Sequence, residues 1–192
     1  MSETTQPLGR RERKKAATRQ SLADAALALF LQHGYDQVSV KDVAEAADVS
    51  TTTVFKHFPG KEALVFDEET EHEAMLVAVV RDRPAGQSVL TALREHVLHS
   101  HLRTSDNPAF TAFRELIAET PALRDYSHRM WMRHETALAR AITEDAGLPA
   151  DDPSAAALAH FALESTALTC DRDDSHAAVA AAFDLLEHGW QA

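Results

Sequence analysis

Cationic and hydroxyl side chains gather in the first third of the chain. Lysine ammonium groups attract phosphates, and serine and threonine hydroxyls donate hydrogen bonds to phosphate oxygens and to base edges. The members of this set whose spacing matters below are Lys15, Thr18, Ser39, Thr51, Thr52, Thr53, Lys56, His57 and Lys61. Double-stranded DNA is the ligand that this chemistry predicts.

The net charge at first contradicts that prediction. The 192 residues carry 19 basic and 30 acidic side chains, a balance of −11, and a negative surface repels DNA. The charges are unevenly distributed, because residues 1–61 hold nine basic and seven acidic side chains whereas residues 62–192 hold ten and 23. The first part is therefore +2 and the remainder −13, so DNA suits the first part alone.

Composition narrows the class of protein. Hydrophobic residues make up 45% of the chain, which is enough for a buried core. A single cysteine, Cys170, excludes a disulfide framework. No apolar run approaches the roughly 18 residues of a membrane span, and charges lie where a signal peptide has its apolar segment. We therefore expect a cytoplasmic protein with no membrane partner.

The elements that position these residues are helices, because glycine and proline lie between segments whose apolar residues recur with helical spacing. A first helix ends at Gly34, the expected stop signal. Ser39, with Asp42 three residues later, predicts the capped start of a short second helix, and Ser50 that of a third. Asp48 lies in the turn between them, where a left-handed backbone is often needed.

Six further helices are predicted downstream. The fourth is expected from just after Gly60 to about Arg83, the fifth from about Ser88 to Leu102, and the last from Ser175. Cap residues followed by proline mark the other three starts, at Asn107-Pro108, Thr120-Pro121 and Asp152-Pro153. Since strand alternation is absent, the predicted fold is all-α with about nine helices.

Two short helices joined by a tight turn form a helix-turn-helix, whose second helix lies in the major groove of DNA. In this arrangement Thr51, Thr52, Thr53 and Lys56 are expected to read base edges. The cations expected to contact phosphates are those of the basic N-terminal arm, Lys15 and Lys61. The N-terminus of the fourth helix is expected to assist Lys61. The hydroxyls of Thr18 and Ser39, near helix starts, are expected to contact phosphates as well. The alternative for the basic residues is an ordinary solvated helix face. The alternative for Thr51, Thr52 and Thr53 is an ordinary capped helix start.

The segment from Thr18 to Leu64 resembles the amino-terminal domain of TetR-family transcriptional regulators. The matching residues are Thr18-Arg19, Ala25-Ala26, Leu29-Phe30, Gly34, Val40, Val43-Ala44, Val49-Ser50, Phe55-Lys56-His57-Phe58, Lys61-Glu62 and Leu64. The resemblance implies an all-helical homodimer with a ligand-binding body, usually a repressor that a small molecule releases from DNA. Asp48 and Thr52 replace common glycines, and Phe55 replaces a tyrosine whose hydroxyl is a possible phosphate contact, for which Lys56 and His57 are the expected substitutes.

Three regions follow from this interpretation. Residues 1–17 form a basic arm running into the first helix, residues 18–61 the DNA-binding domain, and residues 62–192 a helical domain for ligand binding and dimerisation. Pocket residues are expected among the large side chains of the third region, namely Phe110, Phe113, Met130, Trp131, His134 and Phe161. An apolar or amphipathic effector fits them better than a polyanion because the body is acidic, although the same side chains also suit an ordinary helical core.

The alanine-rich last two helices allow close helix packing. With Phe183, Leu186 and Trp190 as large side chains, they are expected to pair with their symmetry mates in the dimer. A dimer also suits recognition of a palindromic operator, since one helix-turn-helix reads few base pairs. An intramolecular helix pair is the alternative.

Histidines offer a competing interpretation. His96 and His99 are one helical turn apart and His101 is near them, a spacing compatible with a metal-responsive regulator or a metal-dependent hydrolase. Surface histidines explain the same pattern. Neither a glycine-rich phosphate loop nor a nucleophile elbow is present, so we expect no enzyme activity, no cofactor and no bound metal. A helical adaptor that binds proteins alone is a third class, but it would leave the basic arm and Lys56 unused.

Overall fold

A computed structural model describes residues 9–104, 107–166 and 175–189. In these ranges it contains nine α-helices, short 3-10 segments and no strand, which confirms the all-α prediction. The helices are α1 (Arg10–His33), α2 (Val40–Ala46), α3 (Thr51–His57), α4 (Glu69–Arg81), α5 (Val89–Thr104), α6 (Pro108–Glu119), α7 (Pro121–Ala146), α8 (Pro153–Glu164) and α9 (Ser175–His188). The 3-10 helix, Glu62–Leu64, lies between α3 and α4.

The chain divides into two compact units, which we call the head unit (residues 1–68 and 112–124) and the body unit (residues 69–111 and 125–192). In the head unit α2 packs on α1 and on α3. The side chains buried there include Leu22 and Phe30 of α1, Val43 of α2 and Val54 of α3. This apolar contact holds two helices of seven residues each, which are too short to be stable alone.

Local signals position the head helices as the sequence predicts. Gly34 ends α1 with φ +83°, and its N–H donates to the carbonyl of Phe30. Ser39 and Asp42 form a reciprocal capping box at the start of α2, and Ser50 caps α3. Asp48 has φ +52°, the left-handed conformation expected for the turn between α2 and α3.

The start of α4 differs from the prediction. Instead of a helix from Gly60, the 3-10 helix is followed by an irregular segment, and α4 begins at Glu69. Four consecutive side chains, from Ala63 to Phe66, are buried. A regular helix would turn by about 100° per residue and would point some of them into solvent, so burial of all four favours the irregular backbone.

In the body unit, α4, α5, α7, α8 and α9 share one apolar core. Its fully or nearly fully buried members include Val80, Leu93, Leu138, Ala159 and Phe183, one from each helix. The predicted proline-led starts are confirmed, since Pro108, Pro121 and Pro153 are the first residues of α6, α7 and α8. None of the helices in the described ranges has both the length and the apolar character needed to cross a bilayer.

Candidate nucleic-acid interface

The exposed face of α3 is the centre of the candidate interface. Val54 is buried against the head core, whereas Thr51, Thr52, Phe55 and Lys56 are exposed. Phe55 has 57% of its surface accessible. The face thus presents two hydroxyls, two methyls, one aromatic ring and one cation over two turns of helix.

Thr53 is placed differently from its two neighbours. Its backbone N–H donates to the Ser50 hydroxyl at 3.2 Å, and the two hydroxyl oxygens are 3.0 Å apart. The side chain is half-buried. Thr53 therefore takes part in the N-cap of α3, and reading a base would require its hydroxyl to exchange one partner for another.

Of the expected phosphate contacts on α1 and at the start of α2, one side chain is exposed and two already form hydrogen bonds within the chain. Lys15 is exposed on α1. The Thr18 hydroxyl donates to the Lys14 carbonyl at 3.0 Å, and because α1 begins at Arg10, Thr18 lies two turns inside the helix and not near its start. The Ser39 hydroxyl donates to the Asp42 carboxylate at 2.7 Å, and hydrogen bonds from Ser39 lower the pKa of that carboxyl group.

Lys61 has an internal role in the head unit. Its ammonium donates to the Tyr35 carbonyl and lies 3.8 Å from the centre of the Tyr35 ring and 5.3 Å from that of Phe30. Burial lowers the pKa of Lys61, opposed by nearby carboxylates. The N-terminus of α4 does not lie beside Lys61 as expected, because α4 begins eight residues later, at Glu69, and the helix that begins after Lys61 is the short 3-10 helix. Lys61 joins the 3-10 segment to the loop that follows α1.

His57, the last residue of α3, is half-buried. Within the described residues its ring Nδ1 is buried and has no hydrogen-bond partner. Burial lowers the pKa of the imidazole, and the positive charges of Arg19 and Lys15 lower it further. His57 is therefore neutral near pH 7 and acts as a hydrogen-bonding group instead of a cation.

Arg19 is the head residue whose role the sequence did not predict. Its guanidinium donates to the His57 carbonyl and to the Asp67 carbonyl, both at 2.7 Å. It also lies 4.2 Å from the centre of the Phe58 ring. One side chain of α1 thus holds the C-terminal end of α3 and the segment before α4. The partners are 38 and 48 residues away in sequence, so no local pattern signals the contact.

The predicted pocket residues do not form one group. Met130 and Trp131 are half-buried and His134 is fully buried on α7 in the body unit, and Phe110 is half-buried on α6. Phe113 belongs to the head unit, where its ring lies 6.2 Å from that of Phe66. Phe161 is 53% exposed on α8 and therefore does not line an enclosed pocket within this chain.

Two open grooves mark the surface of the body unit. The first has a volume of about 650 Å³ and runs between α4 and α7, with three arginines and Glu73 around an apolar floor. The second, of about 600 Å³, lies beside α7 and α8. Neither groove is lined by any of the six predicted pocket residues.

The expected dimer residues are placed mainly inside the body unit. Phe183 is buried in the core and Leu186 packs against that core, while Trp190 lies outside the described residues. Helical periodicity is nearly symmetric in an alanine-rich helix, so it did not distinguish the inner face from the outer. The exposed apolar side chains of α8 and α9 include Ala157, Phe161, Ala177, Ala181 and Leu185, and charged side chains such as Glu164 and Asp184 are exposed beside them.

The histidines of α5 do not assemble a metal site in the described part of the chain. His96 and His99 lie on α5, and burial together with the neighbouring His99 lowers the pKa of His96. The side chain of His101 lies outside the described residues. Among the residues that are described, no three histidine, cysteine or carboxylate side chains are grouped to hold a metal ion.

Family comparisons agree with the helix-turn-helix geometry. Residues 22–67 match the family model of bacterial regulatory proteins of the tetR family, and residues 87–191 match the model of the MftR C-terminal domain. Over 151 residues, 75% of this chain and 67% of the relative, the sequence is 32% identical to the HTH-type transcriptional regulator TcmR of Streptomyces glaucescens.

Two solved structures share the fold. NalD, the secondary repressor of the MexAB-OprM multidrug efflux pump of Pseudomonas aeruginosa, matches with a TM-score of 0.59 and 18% identity, over 91% of this chain and 97% of that one. FadR of Bacillus subtilis, in complex with stearoyl-CoA, matches with a TM-score of 0.55 and 16% identity, over 90% and 99% of the two chains. The metal-dependent alternative gains no support from these regulators.

Proposed function

Because the chain belongs to the TetR family of DNA-binding bacterial transcriptional regulators, we propose that it represses transcription as a homodimer on a palindromic operator. We further propose that a small apolar or amphipathic molecule, bound by the body unit, releases it from DNA. The observation that carries the DNA-binding proposal is the exposed face of α3, held by a buried Val54 on the other side of the helix.

The proposed base contacts lie on that face. Thr51 and Thr52 offer methyl groups to thymine, and Lys56 reaches the acceptor atoms of guanine. Thr53 contacts a base only if its hydroxyl gives up the contact with the Ser50 hydroxyl. The exposed ring of Phe55 adds an apolar contact in place of a phenol hydroxyl.

The proposed phosphate contacts flank α3. Lys15, exposed on α1, provides a full charge, and neutral His57 provides a hydrogen bond. Lys61 retains two ammonium donors besides the one used on Tyr35. The hydroxyls of Thr18 and Ser39 reach a phosphate only by giving up the internal hydrogen bonds that they donate.

The outer faces of α8 and α9 support the dimer proposal. Ala177, Ala181 and Leu185 recur every four residues and form one exposed stripe on α9. Ala157 and Phe161 do the same on α8. Small side chains allow close helix approach and the two large ones fill the remaining space, which suits a four-helix interface between two copies. Phe161 and Leu185 replace Phe183 and Leu186 as the proposed interface residues.

An effector is proposed because TetR-family regulators bind small-molecule ligands, as the FadR complex with stearoyl-CoA illustrates for that protein. The acidic body disfavours a free polyanion. A ligand that binds one conformation of the body better than another shifts the population away from the DNA-bound form.

The test of DNA binding uses fluorescence anisotropy with labelled duplexes from the region upstream of the gene. We expect Lys56→Ala to weaken specific binding about tenfold, as the loss of one base contact does. Arg140→Ala, which removes an exposed cation of the body unit, is the matched control and should leave the affinity unchanged. Equal affinities for all three proteins would contradict the assignment of α3 as the recognition helix.

A further inference from the structure

The exposed face of α3 has few groups that distinguish bases by hydrogen bonding. Bidentate recognition of guanine or adenine commonly uses arginine, asparagine or glutamine, and α3 contains none of these residue types. Lys56 is an exposed cation on this face, and the Thr53 hydroxyl lies 3.0 Å from that of Ser50 in the helix cap. Apolar contacts and the shape of the duplex must therefore supply much of the specificity.

Phe55 is the large apolar side chain on this face. Its surface is 57% accessible, whereas that of the neighbouring Val54 is 2% accessible. The phenylalanine side chain has no hydrogen-bond donor or acceptor. If it covered a phosphate or a polar base edge, that group would lose water without gaining a hydrogen bond, which costs free energy. The ring therefore suits an apolar group on the DNA.

The 5-methyl group of thymine is the apolar group that the major groove presents. Thr51 and Thr52 lie four and three residues before Phe55, so the three side chains are neighbours on one side of α3. All three are exposed, and we call them the apolar strip. Four residues of helix rise about 6 Å, close to two base-pair steps of about 3.4 Å each. The strip thus matches methyl groups on adjacent base pairs.

We propose that Phe55 recognises the 5-methyl group of thymine, and that each operator half-site carries thymines on adjacent base pairs opposite the apolar strip. Contact between the ring and a methyl group removes apolar surface of both from water, which favours binding. A base without the methyl group leaves the ring exposed. This inference rests on the proposed function as a DNA-binding regulator and names the chemical group that α3 recognises.

The experiment compares two duplexes of the same sequence by fluorescence anisotropy at one salt concentration. The first is the upstream duplex that the wild-type protein binds most tightly, and the second has deoxyuridine in place of every thymidine. Uracil pairs with adenine as thymine does but lacks the methyl group. We expect the wild type to bind the uracil duplex at least tenfold more weakly, a ratio that we call the uracil penalty. Thymines replaced one at a time should locate the effect on adjacent base pairs of each half-site.

Four variants assign the uracil penalty to a side chain. Phe55→Ala should weaken binding to the thymine duplex and reduce the penalty to threefold or less, the remainder arising from the threonine methyls. Phe55→Leu keeps an apolar side chain and should keep most of the penalty. Leu31→Ala removes an apolar side chain of α1 that is 42% exposed, and Lys56→Ala removes a polar base contact, so both should show the full penalty. Circular dichroism verifies that each variant is folded.

The possible outcomes separate this inference from the proposed function. Equal affinity of the wild type for the two duplexes contradicts the inference alone, because specific DNA binding is still observed. An unchanged uracil penalty in Phe55→Ala also overturns it and indicates that the methyl groups act through the shape of the duplex. A wild-type protein that binds no upstream duplex specifically would contradict the proposed function, and this inference with it.

Discussion

Two lysines in the head unit show how environment assigns different roles to the same side chain. Lys56 is exposed on α3, where its ammonium is hydrated and free to approach DNA. Lys61 is half-buried over two aromatic rings and donates to the Tyr35 carbonyl. Charge alone predicted both as DNA contacts, because the sequence does not reveal which lysine is paired inside the fold. We therefore expect the main role of Lys61 to be stabilisation of the folded head unit.

This difference leads to a prediction for Lys61→Ala. Loss of one hydrogen bond and of the cation–π contacts should lower the free energy of unfolding by about 1–2 kcal/mol. Lys41→Ala is the control, since Lys41 is exposed and its ion pair with Glu45, at 3.4 Å, lies on the surface and is worth less than 1 kcal/mol. Urea denaturation followed by circular dichroism measures both, and equal destabilisation by the two variants would contradict the internal role.

A pH dependence belongs to His134 and His72. In the folded chain the pKa of each imidazole lies below the ordinary value of about 6.5. The unfolded chain therefore binds more protons as the pH falls through 6.5, and stability decreases with it. Burial is the main cause of both lowered pKa values. For His134, Glu73 and Glu69 oppose the lowering and Arg133 adds to it. For His72, His134 and His96 add to the lowering.

We expect the melting temperature to fall between pH 7.5 and 5.5, and His134→Phe to fall less over the same interval. His128→Phe should behave as the wild type because this histidine is exposed. Differential scanning calorimetry at several pH values provides the measurement. A wild-type melting temperature that is constant, or that rises as the pH falls, would show that these imidazoles do not limit stability.

At the scale of elements, the helix boundaries that depend on nearby residues were predictable and those that depend on distant contacts were not. The capping box at Ser39 and the left-handed Asp48 are local signals, and both are confirmed. The start of α4 depends on burial of residues 63–66 and on the Arg19 contact with Asp67, 48 residues away. Helical spacing groups Phe183 with Val179 and Leu186, which the structure places together at the core of the body unit, but spacing does not reveal whether such a face packs inside the chain or against a second copy.

Arg19 allows a prediction about how α3 is held. Since its guanidinium fixes the C-terminal end of α3 without being placed on the exposed face of that helix, Arg19→Ala should weaken specific DNA binding about tenfold through misplacement of α3. The dependence of log affinity on log salt concentration should stay unchanged. Lys15→Ala, which removes a phosphate contact, should instead lower that slope by about 1.

Arg19→Lys provides the matching test of geometry. A lysine keeps the charge but lacks the planar fork that donates to two carbonyls at once, so we expect it to bind DNA as weakly as Arg19→Ala. Anisotropy titrations at four salt concentrations supply affinity and slope together. A reduced slope for Arg19→Ala would identify Arg19 as a direct phosphate contact.

For the whole molecule, the uneven charge decides which surface faces DNA. The body unit holds eight basic and 18 acidic side chains, a balance of −10, so approach of DNA to it is disfavoured. The head unit holds 11 basic and 12 acidic side chains, so it gains little affinity from its net charge. Two heads joined in one dimer compensate, because binding of the first raises the effective concentration of the second at its half-site to the millimolar range.

The dimer proposal therefore predicts a large effect from a small change far from DNA. Leu185 is 43% exposed on the outer face of α9, and Leu185→Asp places a charge in the proposed interface. Sedimentation velocity should show a dimer for the wild type and a monomer for the variant. Operator affinity should fall at least a hundredfold, since each head then binds its half-site independently. Leu148→Asp, at a leucine 40% exposed beyond the end of α7, should remain dimeric and keep its affinity. A dimeric Leu185→Asp with full affinity would exclude this face of α9 as the interface.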